Sequence, residues 1–253
     1  MKRLTIALAV ALAASNAAAD SQFKLLVLAI PNKYHYEYIP IARDSFEKLG
    51  KLHSFDFNWT NKPEVFEKEN LKQYAAVVFL NTPGEELNPA QRAKFEEYMR
   101  NGGNAVVVHR ALITPPNGWV WYEKMVGRTF KTHPMLQTGV VTVADSKFPA
   151  SYGIPDRWIW SDEWYETTNP FNIKVNAVLK VDESSYDVTK IWPGQVSTGM
   201  NGDHPVSWYH QYEKGRVFVT ALGHNGEMYR DPQYLTHLLG GIYWAATGYG
   251  VSR

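Results

Sequence analysis

Long apolar runs alternate with amphipathic stretches in the first half of the chain. Residues 23–30, 74–80 and 105–108 are almost continuously apolar, which is typical of strands buried on both faces of a sheet. Helical spacing of apolar residues follows at 38–49, and residues 53–59 alternate like a further strand. Because strands and helices take turns, we expect parallel strands covered by helices on both faces, a flavodoxin-like α/β fold.

Capping signals bound two further helices. Asn88 precedes Pro89, Gln91 is placed to complete a capping box, and Gly102 is suited to the left-handed stop. Pro232 begins a closing helix whose apolar face ends near residue 248.

Residues 111–170 break this regular alternation. They are rich in tryptophan and tyrosine, contain Pro115-Pro116, and indicate an elaborated insertion that is partly loop, with one strand at 139–143. Further strands are expected at 177–181, 206–209 and 216–222.

The first nineteen residues have the pattern of a secretory signal. Lys2 and Arg3 precede an apolar run at 4–14, and small residues follow up to Ala19. We therefore expect cleavage after Ala19, export to a periplasm or the medium, and one domain over residues 20–253. No cysteine is present, so disulfides and lipid attachment at the cut site are excluded.

Charge and aromatic content narrow the choice of partner. Without Lys2 and Arg3 the chain has 24 basic and 25 acidic residues, a net charge of −1, which favours neither nucleic acid nor an anionic membrane. Aromatic residues make up 14% of the chain, nine of them tryptophan. Flat rings suit the C–H faces of a small-molecule carbohydrate, and they equally suit packing in a large core. The sequence leaves open whether the protein forms a homo-oligomer.

Two histidines directly follow predicted parallel strands, where ligands collect in folds of this class. His109 comes after the AVVV run, and His224 comes after VFVTAL and Gly223. The glycine permits a sharp turn that presents the imidazole at the rim of the sheet. His35, in the loop after the first strand, can reach the same rim. The alternative for each is a histidine that is hydrogen-bonded to loop backbone.

An acidic pair, Asp162 and Glu163, lies inside the aromatic stretch RWIWSDEWYE. Apolar surroundings raise the pKa of a carboxyl group and can keep it protonated for general-acid catalysis. Trp160 and Trp164 flank the pair and are candidates to hold a sugar ring. The alternative is a helix N-cap followed by acidic residues in the first turn.

The other polar residues are weaker candidates for the binding site. His210 shares a predicted strand face with His204 and is expected to look into the pocket, and Asn225 lies beside His224. His204 and His133 each precede a proline and are interpreted as turn residues. His237 is expected to be exposed on the last helix.

Several motifs are absent from the sequence. It contains no G-x-S-x-G, H-E-x-x-H or H-x-H, and no glycine-rich loop follows the first strand. We therefore expect no cofactor and no dedicated metal site. A metal held by His109, His224 and one of the acids stays possible but has no spacing signature.

Several segments resemble the ThuA-like (trehalose utilisation) family. The specific match is HPVSWYHQYEKGRVFVTALGHNGEMYRDPQYLTHLLGGIYWAATG at 204–248; SDEWYE and LNPAQRAKFEEYMRNGGNAVVVH match more weakly. The resemblance implies a class I glutamine amidotransferase-like fold in which His109 stands near the place of the catalytic cysteine. Family members often have glycine before this histidine, whereas here Val108 precedes it.

The resemblance also implies catabolism of disaccharides or other glycosides, often through 3-keto sugars. In our hypothesis a C3 ketone acidifies the C2 proton, His109 or His224 removes it, and Asp162 or Glu163 protonates the leaving oxygen. Two alternatives are a sugar-binding protein without chemistry and a metal-dependent hydrolase.

Overall fold

A nine-stranded sheet crosses the whole molecule. The computed structural model describes residues 21–114 and 118–250, so the expected signal peptide at 1–19 lies outside the described residues. The strand order is β2-β1-β3-β4-β11-β10-β9-β6-β7, and β5 pairs with β8 in a separate two-stranded sheet. The strands are β1 Lys24–Leu28, β2 Asp56–Thr60, β3 Ala76–Leu80, β4 Ala105–Val108, β5 Thr129–Thr132, β6 Gln137–Val143, β7 Arg157–Asp162, β8 Glu166–Thr168, β9 Asn176–Asp182, β10 Pro205–Tyr212 and β11 Gly215–Thr220.

Half of this sheet is the predicted parallel one. The pairs β1–β2, β1–β3, β3–β4 and β4–β11 are all parallel. Their spatial order, with β11 as the fifth parallel strand, is the flavodoxin-like 2-1-3-4-5. The α/β fold class is confirmed, and the carboxyl ends of β1, β4 and β11 meet along one edge.

Helices cover both faces of the parallel half. They are α1 Tyr38–His53, α2 Val65–Lys68, α3 Pro89–Arg100, α4 Val120–Val126 and α5 Pro232–Thr247. Side chains of α1 and α5 share one core cluster, and those of α2, α3 and α4 share the other. The strands feed both clusters alternately, since Leu25 and Val27 face the first while Leu26 and Leu28 face the second.

The predicted capping residues act as expected. Asn88 and Gln91 form the capping box of α3. The side chain of Asp231 accepts hydrogen bonds at the start of α5, and Gly248 ends that helix with φ 75°.

The aromatic insertion is more regular than the sequence suggested. Residues 111–170 contain α4 and four strands, β5 to β8, instead of a single strand within loops. Strands β10, β9, β6 and β7 extend the sheet in antiparallel order beyond β11. Asp162 therefore ends a strand, and the alternative of a helix N-cap there is wrong.

The expectation that His237 is exposed on α5 is wrong. Its side chain is fully buried; Nδ1 lies 2.6 Å from the Ala150 carbonyl oxygen and Nε2 lies 3.1 Å from the Thr220 hydroxyl. Because α5 packs on β11 on one side and on the turn at Pro149–Ser151 on another, a helix position beside the apolar stripe is also enclosed. Within the described ranges, no helix is long and apolar enough to cross a membrane.

Candidate functional site

Three histidines meet at the carboxyl edge of the parallel half. His35 lies in the loop after β1, His109 follows β4, and His224 follows β11. Their ring centroids are 4.9–5.3 Å apart, and the ring planes are steeply inclined to one another. The predicted convergence of strand ends thus brings together side chains separated by more than 100 residues.

Glu163 completes this group from the antiparallel half. Its Oε2 lies 3.2 Å from His224 Nδ1 and 3.4 Å from His109 Nε2. The two ring nitrogens are themselves 3.3 Å apart. We call His35, His109, Glu163 and His224 the histidine–glutamate cluster.

Backbone geometry presents the two strand-end imidazoles. His109 has φ 49°, a left-handed conformation that is costly for a bulky residue, and its Nδ1 lies 2.7 Å from the Ala221 carbonyl oxygen. Gly223 has φ 115°, so the turn before His224 uses a conformation that glycine adopts without strain. His35 is held by Nδ1, 3.2 Å from the carbonyl oxygen of His224.

Asp162 supports the cluster from beneath. It is fully buried; Oδ2 accepts hydrogen bonds from the Gly223 N–H and the Trp160 indole, and Oδ1 accepts one from the Glu163 N–H. Burial raises the pKa of Asp162, and its interactions with His109 and with its donors oppose that effect. Asp162 does not reach the cavity, so its expected role as general acid is corrected to that of a positioning residue.

The members of the histidine–glutamate cluster differ in the direction of their pKa shifts. Burial disfavours the charged form of Glu163, yet its hydrogen bonds with His109 and His224 outweigh this and hold its pKa well below the usual range. For His224 the contact with Glu163 outweighs burial and raises the pKa. Burial, followed by the charges of His109 and His224, lowers the pKa of His35 to about 3. Glu163 is thus ionised at neutral pH, which contradicts the expectation of a protonated general acid.

A cavity of about 1050 Å³ opens above the cluster. His35, Glu163 and His224 form part of its floor, and its walls include Tyr34 and Trp192. Tyr34 is 68% exposed and Trp192 is 39% exposed, so their rings are accessible to a ligand.

The prediction that Trp160 and Trp164 hold a sugar ring is corrected by the structure. Trp160 is buried and stacks on Tyr234 at 5.7 Å, and its indole nitrogen donates to Asp162. Trp164 is fully buried against Tyr186 and Gly139. Both rings belong to the core cluster shared with α1 and α5, and alternation along β7 points the ring of Trp160 inward.

Two other predicted binding residues also lie elsewhere. His210 is buried under Gly127, and within the described chain neither ring nitrogen has a hydrogen-bond partner. The side chain of Asn225 accepts hydrogen bonds from the N–H groups of Glu227 and Met228 and caps a 3-10 turn.

Sequence reasoning missed two residues of the site. His133, interpreted as a turn residue, lines the cavity with Nε2 3.7 Å from Glu163 Oε2 and Nδ1 2.8 Å from the Pro134 carbonyl oxygen. Burial lowers its pKa, against the effect of Glu163. Tyr165 stacks on His109 at 4.5 Å and hydrogen-bonds to its Nε2 at 3.0 Å. The two-residue spacing of Glu163 and Tyr165 in SDEWYE, which places both after one strand, was the available signal.

The fold and the strand-edge site define a protein of the flavodoxin-like, glutamine amidotransferase-like class. Its structure is similar to that of a ThuA-like protein from Bacteroides uniformis, with TM-score 0.75, 25% identity, and coverage of 92% of this chain and 94% of that one. A ThuA-like protein from Parabacteroides merdae has TM-score 0.71 and 20% identity over 91% and 92% of the two chains.

Residues 24–245 match the ThuA family, described as trehalose utilisation, and the chain belongs to that family. This membership supports a carbohydrate-related role. A β-galactosidase from Rahnella shares the fold alone, with TM-score 0.55, 12% identity, and coverage of 89% of this chain and 32% of that one. No curated protein matches the sequence.

Proposed function

We propose that this protein is an exported enzyme of carbohydrate catabolism that cleaves glycosides carrying a ketone at C3. The observation that carries the proposal is the position of the histidine–glutamate cluster beside His133, on the boundary of a cavity of about 1050 Å³. This volume is at the upper end of the range for small-molecule sites. The signal-like pattern at 1–19 supports export, and family membership supports a sugar substrate.

The reaction needs one base and one site for developing negative charge. The C3 ketone acidifies the C2 proton, whose removal gives an enolate. When the enolate collapses, the C1–O bond breaks, a C1=C2 double bond forms, and the departing oxygen takes a proton from water. Addition of water across the double bond, with hydroxyl at C1 and hydrogen at C2, makes the net change a hydrolysis.

His133 is the base that the geometry favours. Because the Pro134 carbonyl can only accept, Nδ1 of His133 carries the ring proton and Nε2 keeps its lone pair. That lone pair lies on the side of Glu163, in the cavity wall. The assignment replaces His109, which is not among the residues lining the cavity. It also replaces His224, whose Nδ1 lies closer to Glu163 Oε2, at 3.2 Å, than His133 Nε2 does, at 3.7 Å.

His224 of the cluster, whose pKa is raised, is suited to donate a hydrogen bond to the C3 oxygen. Negative charge on that oxygen grows in the transition state, and preorganised groups aimed at it stabilise the transition state more than the substrate. Arg110 and Lys131 also line the cavity, where Lys131 is paired with Glu166 at 3.2 Å. Tyr34 and Trp192 offer exposed rings for the sugar.

The test is incubation of the purified protein with 3-keto-trehalose and simple 3-keto-glucosides in deuterated water. We expect release of free sugar or alcohol, with deuterium at C2 of the product. The His133→Gln variant should lose about 10²–10⁴-fold in turnover, as typical for one general base. His53→Gln, at an exposed position outside this cavity, is the matched control and should retain full activity. Tight sugar binding without release or exchange would instead make this a binding protein.

A further inference from the structure

Three ligand atoms in the cluster form a nearly equilateral triangle. The edges are His224 Nδ1–Glu163 Oε2 at 3.2 Å, His109 Nε2–His224 Nδ1 at 3.3 Å, and His109 Nε2–Glu163 Oε2 at 3.4 Å. An ion with bonds of about 2.0–2.1 Å and tetrahedral angles needs ligand-to-ligand edges of about 3.3–3.4 Å. The triangle therefore has the size of one face of a tetrahedral zinc site.

His35 provides a fourth ligand position. His35, His109 and His224 each offer one ring nitrogen, and these nitrogens all lie within 4.8 Å of one another. The His35 ring is 80° from the plane of His109 and 86° from that of His224, so the rings approach the common point from different directions. A set of imidazoles that surrounds a point in this way is suited to one shared ion.

The backbone partners set the tautomers that a metal requires. Nδ1 of His109 donates to the Ala221 carbonyl at 2.7 Å, and Nδ1 of His35 donates to the His224 carbonyl at 3.2 Å. Each neutral ring then has an unprotonated Nε2. Metal-ligating histidines almost always donate their other N–H to a carbonyl or carboxylate in this manner, which fixes the orientation of the ring.

We propose that His35, His109, His224 and Glu163 bind one divalent transition-metal ion of the zinc class. Three imidazole nitrogens and one carboxylate oxygen suit zinc, cobalt, nickel or iron, whereas calcium and magnesium prefer oxygen ligands throughout. His35, Glu163 and His224 line the cavity, so the ion lies at its floor within reach of a ligand.

Binding of the metal ion changes the hydrogen bonding of the Tyr165 hydroxyl. Its hydroxyl contacts His109 Nε2 at 3.0 Å, and that nitrogen becomes a metal ligand when the ion is bound. The hydroxyl would then be available to hydrogen-bond to a bound ligand, because Tyr165 also lines the cavity. The ion would supply Lewis-acid chemistry toward a carbonyl oxygen, the group that the proposed substrate presents at C3, if that oxygen adds to the four protein ligands as a fifth.

The experiment is titration of chelator-treated protein with Zn²⁺ and separately with Co²⁺, without any sugar. We expect one equivalent of each ion, a rise in Tm with Zn²⁺ because the ion stabilises the folded state, and the visible absorption of low-symmetry Co²⁺ with histidine ligands. His109→Gln, His224→Gln and Glu163→Gln should each weaken binding by about 100-fold or more.

A matched variant separates ligands from distant histidines. His53→Gln should bind one equivalent with affinity close to that of the unaltered protein, since His53 lies outside the cavity and supplies no metal bond. If a ligand variant fails to fold, the Co²⁺ spectrum of the unaltered protein still decides the coordination. Absence of stoichiometric Zn²⁺ and Co²⁺ binding to folded protein overturns the site, as does binding unaffected by the three ligand replacements.

The metal site stands on its geometry and does not depend on the proposed reaction. Protein that binds one ion but never releases sugar from 3-keto-glycosides keeps the site and removes the reaction. Protein that releases sugar at full rate but binds neither Zn²⁺ nor Co²⁺ keeps the reaction and removes the site.

Discussion

Asp162 and Gly223 are joined by a buried hydrogen bond of 2.9 Å between the Gly223 N–H and Asp162 Oδ2. Glu163 directly follows the first residue and His224 directly follows the second. A single contact thus ties the end of β7 to the loop after β11 and holds the carboxylate of Glu163 beside the imidazole of His224.

Replacement of Asp162 by alanine should destabilise the protein strongly. It leaves the N–H groups of Gly223 and Glu163 and the Trp160 indole without their acceptor in a fully buried region. Unsatisfied buried donors cost about 1–3 kcal/mol each, so we expect a loss of about 3 kcal/mol or more in the free energy of unfolding. Urea denaturation measures this loss. Asp156→Ala, at an exposed position, should stay within about 0.5 kcal/mol of the unaltered protein; equal effects would contradict the supporting role.

The turn at Gly223 should tolerate no side chain. A Cβ there would lie 2.3 Å from the hydroxyl oxygen of Tyr234, a buried residue, and φ is 115°. We expect Gly223→Ala to cost more than 2 kcal/mol in the free energy of unfolding and to weaken Zn²⁺ binding, because the adjacent His224 is displaced.

Gly102→Ala is the matched control, since Gly102 has φ 92° but nothing within 4 Å of a Cβ. It should cost about 1–2 kcal/mol and leave Zn²⁺ affinity unchanged. Equal loss of affinity in both variants would contradict the role of this turn.

His237 should make stability depend on pH. Burial lowers its pKa from 6.5 to about 4, and its neighbours are the Ala150 carbonyl, the Thr220 hydroxyl and the Phe218 ring. Between these values the unfolded chain binds a proton that the folded protein excludes, so stability is complete above pH 6.5 and falls as the pH drops toward 4. The gap of about 2.5 pH units corresponds to about 3 kcal/mol.

Urea denaturation at pH 7 and pH 5 measures this dependence. In His237→Gln the difference between the two pH values should shrink by about 2 kcal/mol, since roughly 1.5 of the pH units lie above pH 5. His53→Gln removes an exposed histidine and should leave the difference as it is. An unchanged difference in His237→Gln would show that His237 is already charged in the folded protein.

Trp192 should contribute to sugar binding and not to chemistry. Its ring lines the cavity 5.3 Å from the ring of His133 and is 39% exposed. Because a stacked ring binds substrate and transition state equally, Trp192→Ala should raise KM by about 10-fold, with little change in kcat. Steady-state kinetics on a 3-keto-glucoside checks this. Tyr249→Ala removes another exposed aromatic outside this cavity and should alter neither constant; a fall in kcat alone for Trp192→Ala would contradict the assignment.

The parallel half of the fold was predictable because β1, β3, β4 and β11 are largely apolar runs and β2 alternates apolar with polar residues. The same regularity predicted that His109 and His224 would share one edge, since carboxyl ends of parallel strands converge there. The role of the tryptophans was not predictable, because a ring that packs in a core and one that stacks on a sugar have the same local sequence. Trp160 and Trp164 proved to be core residues.

Long-range pairing explains what else the sequence could not show. His133 reaches Glu163 only because β5 pairs with β8 and β6 pairs with β7, and neither pairing is encoded by local spacing. Likewise, the contact of Tyr165 with His109 joins positions 56 residues apart. The zinc-like triangle has no motif for the same reason, since its three residues come from three separate strand ends.

Trp192 lies in a different part of the fold from the three converging imidazoles. All three converging imidazoles follow parallel strands, whereas Trp192 belongs to the segment between β9 and β10. That segment is anchored by Glu166, which accepts hydrogen bonds from the N–H groups of Thr198 and Gly199 at 3.0 and 2.7 Å. We therefore expect exchange of residues 186–196 between related proteins to change ligand preference while the three imidazoles stay in place.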